Sequence, residues 1–161
     1  LLDDHAGRKR LASLDRVRGR LALPRGDPDA AATALESAVD AAREGGFTQA
    51  EAEALAALGS AESERAEAEA AVSRLTAALD LGRRIEAARA TVAAADGIAD
   101  LLSEGPGGAS GVDRDAVTEA LRESPPESVP SDAATDPAAY REVADRWRVE
   151  DDGEPAYPPL G

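Results

Sequence analysis

Apolar residues recur at helical spacing along most of this chain, and the longest such stretch runs from Thr48 to Leu102. It contains no proline and consists largely of alanine, glutamate and arginine. Leu55, Leu58, Val72, Leu75 and Leu79 carry its first half. Its second half follows a heptad through Leu81, Ile85, Ala88, Val92, Ala95, Ala99 and Leu102. Between Leu58 and Val72 the apolar side chains are all alanine. The apolar phase slips between Leu79 and Leu81, next to Gly82, so a kink, break or stutter is expected there. Gly59 and Gly97 are further weak points, each costing a helix about 1 kcal/mol relative to alanine. At the start of the stretch, Thr48 and Glu51 have the spacing of a capping box, with Phe47 placed as its hydrophobic staple.

Two shorter helices are expected before it. Leu11, Leu14, Val17 and Leu21 form one stripe and predict a helix over 6–23, stopped by Pro24. Asp27 then has the chemistry of an N-cap, and Pro28 suits the first helical position. Ala31, Leu35, Ala38, Val39 and Ala42 line the helix over 28–44, and Gly45-Gly46 supplies a left-handed stop.

Beyond Leu102 the pattern loosens. Ser103 to Gly108 ends the helical body, and a short helix is expected over 113–123, with Asp113 as cap and Ala116, Val117, Ala120 and Leu121 as its apolar face. Pro125, Pro126 and Pro130 make Ser124 to Thr135 read as an extended linker. Asp136-Pro137 repeats the cap-then-proline start, and Tyr140, Val143, Ala144 and Trp147 form a compact stripe. Glu150 to Gly161 reads as disordered.

Composition changes the expected strength of this fold. Leu, Ile, Val and Phe together number 28 of 161 residues, a level that with high charge usually signals disorder. The 38 alanines argue instead for real helices around a thin core, because alanine has the best helix propensity. The net charge is -14, and self-repulsion at that level weakens a compact state until salt screens it. Acidity, arginine in place of lysine, high alanine and few aromatics together resemble proteins of extremely halophilic archaea. The resemblance is compositional and implies a cytoplasmic, high-salt setting.

Candidate chemistry is sparse. There is no cysteine, which excludes disulfides and thiolate metal sites. No apolar run approaches the ~18 residues of a membrane span. His5 is the only histidine, so neither a triad nor a transition-metal site is expected, and no cofactor is implied. Glu62, Glu64, Glu67 and Glu69 read as a solvated helical face. Gly105-Pro106-Gly107-Gly108 lacks the lysine and hydroxyl of a phosphate loop. The chain begins Leu1-Leu2 and contains no methionine, as expected of a segment of a longer protein.

Charge segregation supplies the candidate contact residues. Residues 1–25 hold seven basic against three acidic side chains, whereas the chain that follows is acidic. Arg8, Lys9, Arg16 and Arg20 would pair with those acidic helices or with an acidic partner; neutralising phosphates is the alternative. No aromatic interleaves them, so stacking on single strands is not supported. Tyr140 and Trp147 would either clasp the helical body or enter a partner's groove.

Residues 19–78 also resemble tetratricopeptide repeats. Gly19, Gly26, Ala31, Leu35 and Ala38 follow that pattern, and Leu55, Leu58, Gly59, Ala71, Leu75 and Ala78 return to it, with Gly59 standing for Gly19. The resemblance implies antiparallel helix pairs and a concave peptide-binding surface. The second unit departs from the pattern: Ala66 stands where a turn glycine belongs, and both units lack the signature aromatic.

The reading is therefore all-α. An antiparallel hairpin or coiled-coil-like bundle fills 1–103, with a long central helix broken, if anywhere, near Gly82. A linker with one short helix spans 104–135, and a short amphipathic helix with an acidic flexible tail spans 136–161. The expected function is a non-catalytic interaction or scaffold module. It would bind a protein partner or a second copy through its helical seam. A nucleic-acid-associated protein and a peptide-binding adaptor are the alternatives.

Overall fold

The computed structural model describes residues 27–103 and 112–153, with side chains through Arg148. The expected helix over 6–23, with Arg8, Lys9, Arg16 and Arg20, lies outside the described residues, as does 154–161. The described residues form six α-helices and one 3-10 turn, with no strand among them. They are α1 (Pro28–Gly45), α2 (Thr48–Glu64), α3 (Ala68–Arg84), α4 (Ala88–Ser103), α5 (Arg114–Glu123) and α6 (Pro137–Gly153), with the 3-10 turn at Ser131–Ala133. No described helix is long and apolar enough to cross a membrane.

The stretch from Thr48 to Leu102 is three helices rather than one. Breaks fall at Arg65–Glu67 and at Ile85–Ala87. The second lies just beyond Gly82, where the apolar phase slips; the first carries no glycine. Both copy the turn after α1. Gly46, Ala66 and Glu86 take left-handed backbone with φ of 74°, 59° and 58°. The following amides of Phe47, Glu67 and Ala87 donate to the carbonyls of Ala42, Glu62 and Gly82. This is the six-to-one bond of a Schellman stop, made three times. The helix starts at Pro28, Thr48, Ala68 and Ala88 are accordingly evenly spaced along the chain. Alanine and glutamate conceal the turn in the sequence because their side chains disfavour this backbone, at roughly 1–2 kcal/mol. Ala66→Gly and Glu86→Gly are therefore expected to stabilise the chain by about 1 kcal/mol each. In thermal unfolding each should raise Tm by ~2–4 °C; a fall in Tm would contradict the strained turn.

Capping follows the same economy of length. Asp27 accepts from the Ala30 amide at 3.0 Å, Asp113 from Asp115 at 3.0 Å and Asp136 from Ala138 at 3.0 Å. The capping box expected at Thr48 does not form. Phe47 is the N-cap residue, without a side-chain cap bond, because the short turn has already placed Thr48 inside the helix. Glu51 instead receives Arg43 Nε at 3.2 Å.

Each helix from α1 to α4 packs on the next along the chain, and α6 folds back on α4. α2 packs on α1, α3 and α4; α4 packs on α2, α3 and α6; α5 sits on α3 with a lesser contact to α4. One core joins them all. Leu35, Leu58, Leu75, Leu79 and Ile98 continue into Val117, Leu121, Val129, Tyr140 and Ala144. Residues 112–148 therefore belong to the helical body and do not trail from it as a flexible tail. α6 also carries on through Glu150, Asp151 and Asp152 to Gly153, where disorder was expected.

Alanine and glycine allow close approach between neighbouring helices. A Cβ on Gly59 would lie 2.6 Å from Leu75 Cγ, and one on Gly82 would lie 2.7 Å from Thr91 Oγ1. These glycines therefore serve helix contact more than helix weakness.

Candidate functional site

The most site-like surface is an open groove between α2 and α4. Ala56 and Ala90 are buried in its floor, Ala57 is half-buried, and Ala93 is exposed along it. Glu53, Ser60 and Arg89 stand at its edges. The depression continues past Glu53 and Arg89 toward Thr48, Gln49 and the Ile85–Ala88 turn. Because every floor residue is alanine, the groove is shallow in side chains and offers little apolar area per residue.

α4 also packs against α6. α6 buries Tyr140 and Ala144 completely, and its arginines reach the α4 carboxylates. Arg148 bonds Asp96 and its own Asp145. Arg141 reaches Asp100 at 3.5 Å and Ser103 Oγ at 3.3 Å. These ion pairs are exposed, so they orient α6 more than they stabilise it.

The structure separates the two aromatic candidates. Tyr140 is fully buried, and its hydroxyl donates to the Ala134 carbonyl at 2.5 Å. It is a core residue and not a partner-binding one. The reason is tertiary: α6 has α4 to cover its apolar stripe, so the stripe is spent within the molecule. Burial, then the nearby Asp80 charge, raises the Tyr140 pKa above its ordinary value. Trp147 remains half-buried at a shallow edge formed with Asp80, Arg83, Arg84, Glu86, Glu127 and Ser128.

The proline-containing segment is a fixed strap. Asp80 accepts from the Glu127 amide at 3.1 Å, the Ser128 amide at 3.1 Å and the Ser128 hydroxyl at 2.6 Å. Arg83 donates to the Ser128 carbonyl at 2.8 Å. Val129 and Ala134 enter the core on either side of the 3-10 turn. The prolines stiffen this segment, but one α3 carboxylate decides where it lies.

Glu62 also departs from expectation. It is 3% exposed, not part of a solvated face. Arg65 lies 3.2 Å from its carboxylate and 2.7 Å from Asp29 on α1. The Asp29 hydrogen bond, followed by the Glu62 charge, raises the Arg65 pKa. The burial arises because α2 is covered by α1, α3 and α4 together. Arg74 lies in a cleft with Glu36, Val39, Asp40, Arg43 and Leu58, its Nε buried without a hydrogen-bond partner.

None of the groove residues stands out by chemical type in the sequence. The signal that could have found them is the even register of helix starts, hidden by the missing turn glycines at 66 and 86. No protein-family model matches this chain, and neither a curated protein nor a solved structure matches it significantly.

Proposed function

We propose that this chain is a non-catalytic helical-repeat interaction module whose α2/α4 groove receives an arginine-bearing amphipathic helix of a partner protein. The observation that carries this reading is the alanine-floored groove between α2 and α4. α6 provides the precedent beside it, because α4 already holds a helix whose Arg141 and Arg148 meet Asp100 and Asp96. The recurring helix-turn-helix register favours the tetratricopeptide-like form of this function over a continuous coiled coil. A basic partner also complements a net charge of -14.

Synthetic amphipathic peptides of about five turns, ~18 residues, would test the reading, with basic, neutral and acidic polar faces. In NMR titration the basic peptide is expected to shift α2 and α4 amides around Ala57 and Ala93. The substitution Ala93→Arg, at an exposed groove position, should abolish that response while leaving Tm unchanged. No perturbation by any peptide, or shifts confined to other faces, would sink the proposal. Duplex DNA binding with target preference that persists in molar salt would favour the nucleic-acid alternative instead.

The composition further supports a role at high salt. Helicity followed by circular dichroism is expected to rise with KCl as screening relieves the acidic surface. Full helicity in dilute buffer would remove this part of the proposal.

A further inference from the structure

Helices α1 and α3 both pack on α2 but not extensively on one another, and a cleft stands open between them. Its base is apolar and closed, with Leu58 of α2 1% exposed and Val39 of α1 3% exposed. Its walls carry both signs of charge. Glu36 and Asp40, one helical turn apart on α1, are exposed along one wall, and Arg74 of α3 is half-buried in the other.

Arg43 also lines the cleft, but Glu51 engages its Nε at 3.2 Å. Arg74 is not engaged in this way. Among the described residues no ion pair joins it to Glu36 or Asp40, and its Nε is buried without a hydrogen-bond partner. A guanidinium N–H withdrawn from water keeps its desolvation cost until an acceptor reaches it. Elsewhere in the fold arginines take the carboxylates within their reach: Arg65 spans Asp29 and Glu62, and Arg148 spans Asp96 and Asp145. Arg74 shares its cleft with two carboxylates and takes neither.

We propose that the α1/α3 cleft is a second binding site, for a peptide segment in which an acidic residue stands beside a basic one. The acidic side chain lies along the Nε–Nη edge of Arg74, where the planar fork takes both oxygens of a carboxylate. The basic side chain meets Glu36 and Asp40, whose exposed side chains can swing aside to admit the segment. Both signs are needed. A wholly acidic segment is repelled by the α1 carboxylates, and a wholly basic one leaves Arg74 without an acceptor and sets a like charge beside it. The apolar base strengthens both contacts, because polar interactions beside a low-dielectric interior are screened less than in water. The cleft shares no lining residue with the α2/α4 groove, so this site stands or falls separately from helix binding there.

An arginine Nε–H gives its own signal in nitrogen-correlated NMR, and Arg74→Lys identifies that of Arg74 in the full chain. Blocked peptides of equal length serve as probes, with polar positions alternating glutamate and lysine, all glutamate, or all lysine. The alternating peptide is expected to shift the Arg74 Nε–H signal together with the backbone amides of Glu36, Asp40 and Arg43. Arg74→Gln, and separately Glu36→Gln with Asp40→Asn, should each weaken that binding about tenfold, whereas Ala93→Arg in the other groove leaves it unchanged. The paired substitution replaces only exposed side chains, so it carries the test even where Arg74→Gln disturbs folding. No shift with any peptide, an equal response to either single-sign peptide, or unchanged affinity after Glu36→Gln with Asp40→Asn would overturn the site.

Discussion

Leu75→Ala is expected to lower stability by about 2–5 kcal/mol, the range for removing a fully buried leucine without collapse of its site. With Tm moving ~2–4 °C per kcal/mol in a chain of this size, a fall on the order of 10 °C should appear in calorimetry. Leu75 is 1% exposed and lies between two glycines, Gly59 of α2 and Gly97 of α4. No side chain at either position can swing in to fill the space. The two glycines should answer oppositely to added carbon. At Gly59 a Cβ would meet Leu75 Cγ at 2.6 Å and its backbone nitrogen at 3.3 Å, so the helices must separate. Gly59→Ala is expected to cost about 1–3 kcal/mol despite better helix propensity. At Gly97 the contacts are Leu75 Cδ2 at 3.1 Å and Cδ1 at 3.3 Å, the movable ends of the side chain. Gly97→Ala should therefore be close to neutral, the helix gain of about 1 kcal/mol offsetting a small rotation. Equal losses at both positions would show that this packing is wrong.

The second large effect centres on Tyr140. Tyr140→Phe removes the hydroxyl that satisfies the Ala134 carbonyl and leaves that acceptor buried, at a cost of about 1–3 kcal/mol. Tyr140→Ala should cost about 3–5 kcal/mol, in line with other large aromatic truncations. The wild-type chain should also be alkali-sensitive in a defined way. Burial first, and Asp80 second, raise the folded-state pKa of the phenol above the 10.0 of a free tyrosine. The folded state therefore favours the protonated phenol. Its contribution is fully present below about pH 10 and is lost as pH rises from there through the folded-state pKa, because the unfolded chain ionises first. Denaturant midpoints measured from pH 8 to 12 should fall above pH 10 in wild type and fall less in Tyr140→Phe. Parallel pH profiles for the two chains would contradict the assignment. Trp147, the only tryptophan, gives the fluorescence signal for both.

These two residues also show where sequence reasoning worked and where it stopped. The stripe of Tyr140, Val143, Ala144 and Trp147 was legible as an amphipathic helix, but its destination was not. A clasp and a recognition helix have the same periodicity, and only the carboxylates of α4 and the cover over Tyr140 distinguish them. Leu75 was legible as core. The roles of Gly59, Gly82 and Gly97 were not, because a glycine that permits close contact and one that weakens a helix look alike until the neighbour is known.

Local chemistry along the chain suffices for the all-α class, the starts at Asp27, Asp113 and Asp136, the stop at Gly46 and the thin alanine core. Each follows from local preferences of backbone and cap that act within a few residues. The tertiary structure alone decided that Thr48–Leu102 folds back twice, that Glu62 is buried, that Asp80 fixes the proline strap and that α2 and α4 frame a groove. Turns at Ala66 and Glu86 run against local preference. They persist because the helix pairs on either side bury Leu58, Leu75, Leu79 and Ile98, and that burial outweighs the cost of the left-handed residues.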